Sequence, residues 1–292
     1  MSGMPASSGP PGRGFEAPLL IAVAPNGARR TLADHPAVPL APDALAATAK
    51  ACLDEGAAML HLHVRTPEGR HTLDADTYLA ATRVVRRAVG RRMVIQITTE
   101  AAGIYRPPEQ MAVVRAVRPE AVSLSVRELA GGDAPESGLA SFFSWLARAR
   151  VMTQIILYDV PDVFLWNDLR RRGVVPEGPW FPLFVLGRYA AGRVSAPRDL
   201  LPFLGAEDGM YPWCVCAFGP RENACAIAAA ALGGHARVGF ENNLSLRDGS
   251  PAQDNAALVR QVAEGARALG RRLAAADEVR AWFPDRRLEK PR

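Results

Sequence analysis

Apolar and polar positions follow a repeating pattern along the chain. Short apolar runs of strand character cover residues 19–24, 58–63, 93–98, 121–125 and 152–157. Three more follow at 182–186, 213–217 and 236–241. Between them lie stretches with the period of amphipathic helices, clearest at 42–55, 75–89, 222–232 and 255–269. Pro42 stands at the first turn of one of these, where its missing N–H costs nothing. Strands alternating with helical segments predict βαβ units and a parallel sheet. Eight such units fit a TIM (β/α)8 barrel better than an open sheet. One α/β barrel is expected over 18–283. The Gly/Pro/Ser-rich stretch 1–17 reads as a disordered leader, and 284–292 as a charged tail.

Composition narrows the class. Of 292 residues, 49% are apolar and 22% charged, which excludes disordered, collagen-like and coiled-coil chains. No apolar run approaches the ~18 residues of a membrane span, and none near the start suits a signal peptide. A soluble, cytoplasmic protein is expected, with no membrane partner. The net charge of +5 does not point to nucleic acid. Only Lys50 and Lys290 are lysines, and the arginines form short clusters mixed with acids, without a base-reading motif. An anionic small substrate fits that charge. Cys52, Cys214, Cys216 and Cys225 form no C-x-x-C pair and read as small buried hydrophobes.

In a barrel, chemistry belongs at the C-terminal ends of the strands and in the loops after them. Polar residues collect there. His61 and His63 are two apart on a strand, so both imidazoles face one side, about 7 Å apart at their Cα atoms. That spacing suits one shared metal ion, and equally two hydrogen-bonded core histidines. On the eighth strand Arg237 and Glu241 share a face if Phe240 packs outward. A carboxylate inside the barrel mouth needs a cation: a metal, or Arg237 itself. His61, His63 and Glu241 together would give a His₂-carboxylate site with an open position, the pattern of catalytic zinc. His35 lies near the barrel top, His71 is expected to be solvated, and His235 sits at the bottom end with a structural role. Tyr158 and Asp159 end the fifth strand, where Asp159 also suits a helix N-cap.

These residues carry a family resemblance. Asn26-Gly27-Ala28, Pro39-Leu40-Ala41-Pro42, His61-Leu62-His63-Val64-Arg65, Gln96-Ile97-Thr98-Thr99, Phe184-Val185-Leu186-Gly187 and Gly233 through Glu241 resemble the β-keto acid cleavage enzymes, whose founding activity acts on 3-keto-5-aminohexanoate. Trp213 and Asn255 also fit. The resemblance implies a zinc-dependent TIM barrel, usually a homo-oligomer (dimer or tetramer). It implies that a β-keto acid and acetyl-CoA exchange to give acetoacetate and a new acyl-CoA. Zinc would be held at the positions of His61, His63 and Glu241, with Arg237 and Thr98 assisting. Asn26, Arg29, Thr99, Ser123, Ser125 and Arg127 are the expected substrate contacts.

The chain departs from the pattern at several points. Asn242 stands where the family has a catalytic aspartate, and an amide cannot act as a base. Glu100 and Ala101 replace two glycines after the third strand. Arg29 replaces an acidic residue that can hold a substrate amine, and Arg127 replaces a small residue. Glu100 is a candidate for the missing carboxylate role, with Arg29 pairing with it or gripping an anionic tail. Without the aspartate, a zinc-dependent lyase, aldolase or hydrolase, or a non-catalytic metabolite-binding barrel, are the alternative readings.

Overall fold

The structure, a computed structural model, describes residues 11–131, 135–189, 192 and 194–283. In chain order the elements are β1 (Ile21–Val23), α1 (Pro42–Asp54), β2 (Met59–Leu62), β3 (Val64–Arg65), β4 (His71–Thr72), α2 (Ala75–Val89), β5 (Val94–Thr98), α3 (Pro107–Val117), β6 (Ala121–Ser125) and α4 (Val126–Ala130). Then come α5 (Glu136–Ala149), β7 (Met152–Leu157), α6 (Val160–Arg171), β8 (Trp180–Leu186), α7 (Leu201–Ala206), β9 (Cys214–Ala217), α8 (Glu222–Ala231), β10 (His235–Val238), α9 (Asn255–Ala268) and α10 (Ala276–Ala281).

Eight strands close a parallel barrel in the order β1, β2, β5, β6, β7, β8, β9, β10, with β10 returning to β1. This is the TIM barrel expected from the pattern. The short antiparallel pair β3–β4 is an insertion after β2. Strand alternation divides the apolar residues into two cores. Leu60, Leu62, Ile95, Ile97, Val122 and Leu124 face outward into the larger core beneath the helices. Leu20, Met59, Val94, Met152, Leu183 and Cys214 belong to a second core inside the barrel. Their neighbours two residues further on, such as His61, Gln96 and Ser123, keep the same parity but are polar. The barrel is therefore apolar toward its base and polar toward its mouth.

Side-chain caps fix where several helices begin. Asp74, Asp159 and Asp254 each accept a backbone N–H at the start of α2, α6 and α9. The sixth repeat is the least regular. Its strand is longer than the expected 182–186, and a short 3₁₀ turn and the six-residue α7 stand for its helix.

The base is closed by both ends of the described chain. Of the expected 1–17 leader, residues 1–10 lie outside the described residues, as does the 284–292 tail. Residues 11–17 are not loose. Gly12 abuts the Trp282 ring, its carbonyl accepts from His235 Nε2 at 2.7 Å, and Gly14 N donates to Gly233 O at 3.2 Å. Buried Arg271 donates to the carbonyls of Ala17, Ala230 and Gly234. The leader expectation rested on composition, which does not register these backbone contacts. His235 Nδ1 accepts from Leu20 N at 3.0 Å and its ring stacks on Trp282, so its structural reading matches the contacts. Among the described residues no helix is long and apolar enough to cross a membrane.

Candidate functional site

At the mouth, three side chains converge. His61 ends the inward face of β2, and His63 follows in the bend before β3. Glu241 comes from the turn after β10, where Gly239 N and Glu241 N tie the chain to Glu222 and to Ala24 O. Gly239 is needed there, because a Cβ would run into the Ala24 carbonyl. His61 Nε2 and His63 Nε2 lie 3.0 Å apart. Glu241 Oε2 is 3.5 Å from the first and 3.6 Å from the second.

One proton of this trio can be placed. His61 Nδ1 lies 2.8 Å from Gln96 Oε1, an oxygen that can only accept, so Nδ1 carries the ring proton and Nε2 offers a lone pair. Burial, with Arg237 nearby, pushes His61 down to about 4. Burial and the neighbouring His61 hold His63 well below its usual range. Burial alone would raise the Glu241 carboxyl, but Arg237 and His61 outweigh it and leave it lowered. Glu241 Oε2 is buried without a hydrogen-bond partner. Two neutral imidazoles and a carboxylate oxygen thus aim at one point, all within 4.8 Å of one another. Such a set of buried ligand atoms fits a divalent cation, which would replace the proton between the two Nε2 atoms.

Arg237 flanks the trio, with Nη2 3.3 Å from Glu241 Oε1 and 3.5 Å from Cys216 Sγ. Its Nε and Nη1 are buried and unpartnered. Both readings of Glu241 therefore coincide, since it faces Arg237 and the histidines at once. A narrow cavity opens above, lined by His61, Thr98, Glu100, Ser125, Arg237 and Glu241 among others. Glu100 Oε2 lies 3.8 Å from His63 Nε2. Burial and the Glu241 charge push Glu100 up to about 7 against the pull of Arg188.

The other sequence-expected residues divide. Thr98 and Ser125 line the cavity, and Ser125 also caps α4. Ser123 Oγ reaches Thr98 Oγ1 at 3.4 Å, while Thr99 turns its hydroxyl to Ser123 O at 3.1 Å. Asn26 is buried, with its amide donated to Pro39 O and to His63 O, where it steadies a histidine backbone. Asn242 is buried outside the cavity lining and donates to Glu222 Oε1 at 3.3 Å. Arg29 is exposed and does not line the cavity. The partner of Glu100 is instead Arg188, at 3.1 Å. Arg127 is held by Asp159 and Asp162 at the start of α6, which turns it away from an anion-binding role. His71 is buried rather than solvated, with Nε2 2.9 Å from Glu100 O, because β3–β4 folds it beneath the third-strand loop.

Sequence reasoning missed three cavity groups. Arg188 follows Gly187 at the end of β8 and lies over the Phe218 ring at 5.0 Å. The barrel rule could have found it. Glu128 sits three residues after Ser125 and accepts from Gln110 Nε2 and Ala101 N. Apolar Ile156, Val185 and Phe218 form the opposite wall.

Comparisons with known proteins agree with this architecture. A family model of beta-keto acid cleavage enzymes matches residues 18–283. The chain is 29% identical over 268 residues to a 3-keto-5-aminohexanoate cleavage enzyme of Acetoanaerobium sticklandii, covering 90% of this chain and 96% of that one. It is 26% identical over 275 residues to a 3-oxoadipate:acetyl-CoA acetyltransferase of Cupriavidus necator, covering 90% and 94%. Its fold is similar to that of apo ObcA, with a TM-score of 0.68 and 19% identity over 85% of this chain. The chain spans 65% of the ObcA chain, just under two thirds, and that likeness bears on the fold alone. The chain belongs to the β-keto acid cleavage enzyme family.

Proposed function

We propose that the protein is a zinc-dependent β-keto acid cleavage enzyme that uses acetyl-CoA as co-substrate. The observation that carries the reading is the convergence of His61 Nε2, His63 Nε2 and Glu241 Oε2, three buried ligand-type atoms within 4.8 Å of one another. His61, His63 and Glu241 would hold the ion. When bound, it would supply Lewis acidity toward a substrate carbonyl.

The chain's own groups supply the rest. Arg237 keeps its charge beside Glu241 and has an unpartnered Nη1 and Nε, suited to a carboxylate or enolate oxygen. Thr98 offers a hydroxyl to orient the substrate. Glu100 takes the role left open by Asn242 and removes a proton from the carbon between the two carbonyls. Arg188 fixes one Glu100 oxygen and leaves the other toward the cavity. The resulting carbanion attacks the acetyl thioester, and CoA thiolate leaves. The thiolate adds to the original ketone, the C–C bond breaks, and the proton held by Glu100 returns to the released carbanion, giving acetoacetate and a new acyl-CoA. Every atom of the two substrates is retained in the two products.

The test pairs metal-loaded protein with a panel of β-keto acids and acetyl-CoA, read by mass spectrometry. Acetoacetate is the expected product, and its absence with every keto acid defeats the reading. His61→Ala should abolish stoichiometric zinc. Glu100→Gln should keep zinc and lose about 10²- to 10⁴-fold in turnover; near-normal turnover would remove Glu100 from the mechanism.

A further inference from the structure

Glu222 opens α8, is fully buried, and lies behind the site rather than in it. Three donors converge on its carboxylate. Gly239 N donates to Oε1 at 3.1 Å, Asn242 Nδ2 to Oε1 at 3.3 Å, and Asn243 Nδ2 to Oε2 at 3.4 Å. All three belong to the turn that carries Glu241. That turn has other ties, to Ala24 O and Asn255, but Glu222 is the carboxylate at its centre.

We propose that Glu222 is a positioning residue that clamps the 239–243 turn and so aims Glu241 at the two histidines, and that Asn242 is its matched partner. The departure from the family's aspartate then has a physical reason. With a Glu222 oxygen buried 3.3 Å away, the amide at position 242 donates to it; an ionised aspartate has no proton to donate and would place a second acid against the first. Burial pushes the Glu222 carboxyl up to about 8 against its three donors and Arg237.

A double-mutant cycle tests this, with Asn242→Asp, Glu222→Gln and the pair measured in the full chain. The folding arm uses chelator-treated protein and stands apart from the metal reading above. Asn242→Asp should lower the thermal midpoint by about 5–10 °C. Adding Glu222→Gln should return at least half of that loss, because a glutamine can donate to the aspartate. Strict additivity, or Asn242→Asp with unchanged stability, overturns the matched pair. The positioning arm rests on the metal reading and uses zinc competition with a chelator. Glu222→Gln should weaken zinc about 10- to 100-fold, while Glu222→Asp, which keeps the carboxyl, should recover part of that. Unchanged zinc affinity in Glu222→Gln overturns the positioning role. Wild-type protein that binds no zinc defeats the metal reading and the aiming role with it, and leaves the matched pair to be judged by the folding arm.

Discussion

At Gly27 the backbone takes φ +57°, and a Cβ added there would come 2.6 Å from Glu241 Cγ. The Gly27 carbonyl also accepts from buried Arg65. A side chain at this position would therefore strain the backbone and push the carboxylate off its line with the histidines. Gly27→Ala should cost about 1–2 kcal/mol of stability from the left-handed conformation alone. It should also weaken zinc binding, which backbone strain elsewhere would not do. Urea denaturation and zinc competition on the same samples would check both effects. His61 and His63 were legible in sequence because a two-residue spacing on a strand fixes a shared face. Glu241 was legible from the parity of the eighth strand, although the strand ends at Val238 and a turn delivers the carboxylate. Arg127 was not, because its acidic partners Asp159 and Asp162 lie 32 and 35 residues away in the next repeat. Its charge is neutralised by contacts that only the fold creates.

Whole elements meet through Asn255, the first residue of α9. Its Oδ1 accepts from Phe240 N at 2.8 Å, and its Nδ2 donates to Pro25 O at 3.2 Å. One buried side chain thus joins the loop after β1, the turn after β10 and a helix start. Asn255→Ala would leave a buried N–H and a buried carbonyl without partners. The expected loss is about 2–4 kcal/mol in urea denaturation, and a loss under 0.5 kcal/mol would mean that water or relaxation replaces both bonds. The alternation of strands and helices was readable because a barrel repeats one local rule eight times. The β8–α7 region was read poorly, since its connection is a 3₁₀ turn with no long helical period. Arg188 was missed for that reason, as its place above Phe218 depends on how that connection folds.

The molecule as a whole is polar at its mouth and sealed at its base, and the base contributes its own pH dependence. Burial, with Arg271 nearby, pushes His235 down to about 3. The unfolded chain binds a proton near pH 6.5, while the folded chain does not until far lower. Stability from this group is thus complete above pH 6.5 and falls as pH drops below it. The buried neutral His61 and His63 act in the same direction. The raised Glu100 and Glu222 oppose this drift above pH ~4.5, so the test is differential: in chelator-treated protein, His235→Gln should reduce the loss of stability on lowering the pH from 6.5 to 4 by about one proton, or ~1.4 kcal/mol per pH unit. Denaturation midpoints across that range would measure it, and an unchanged slope would remove His235 from the account. The same base bears on handling the protein. Gly12 lies against Trp282, so both ends of the described chain lie on the face opposite His61, His63 and Glu241. A molecule held by its base would present the barrel mouth outward to the flowing solution.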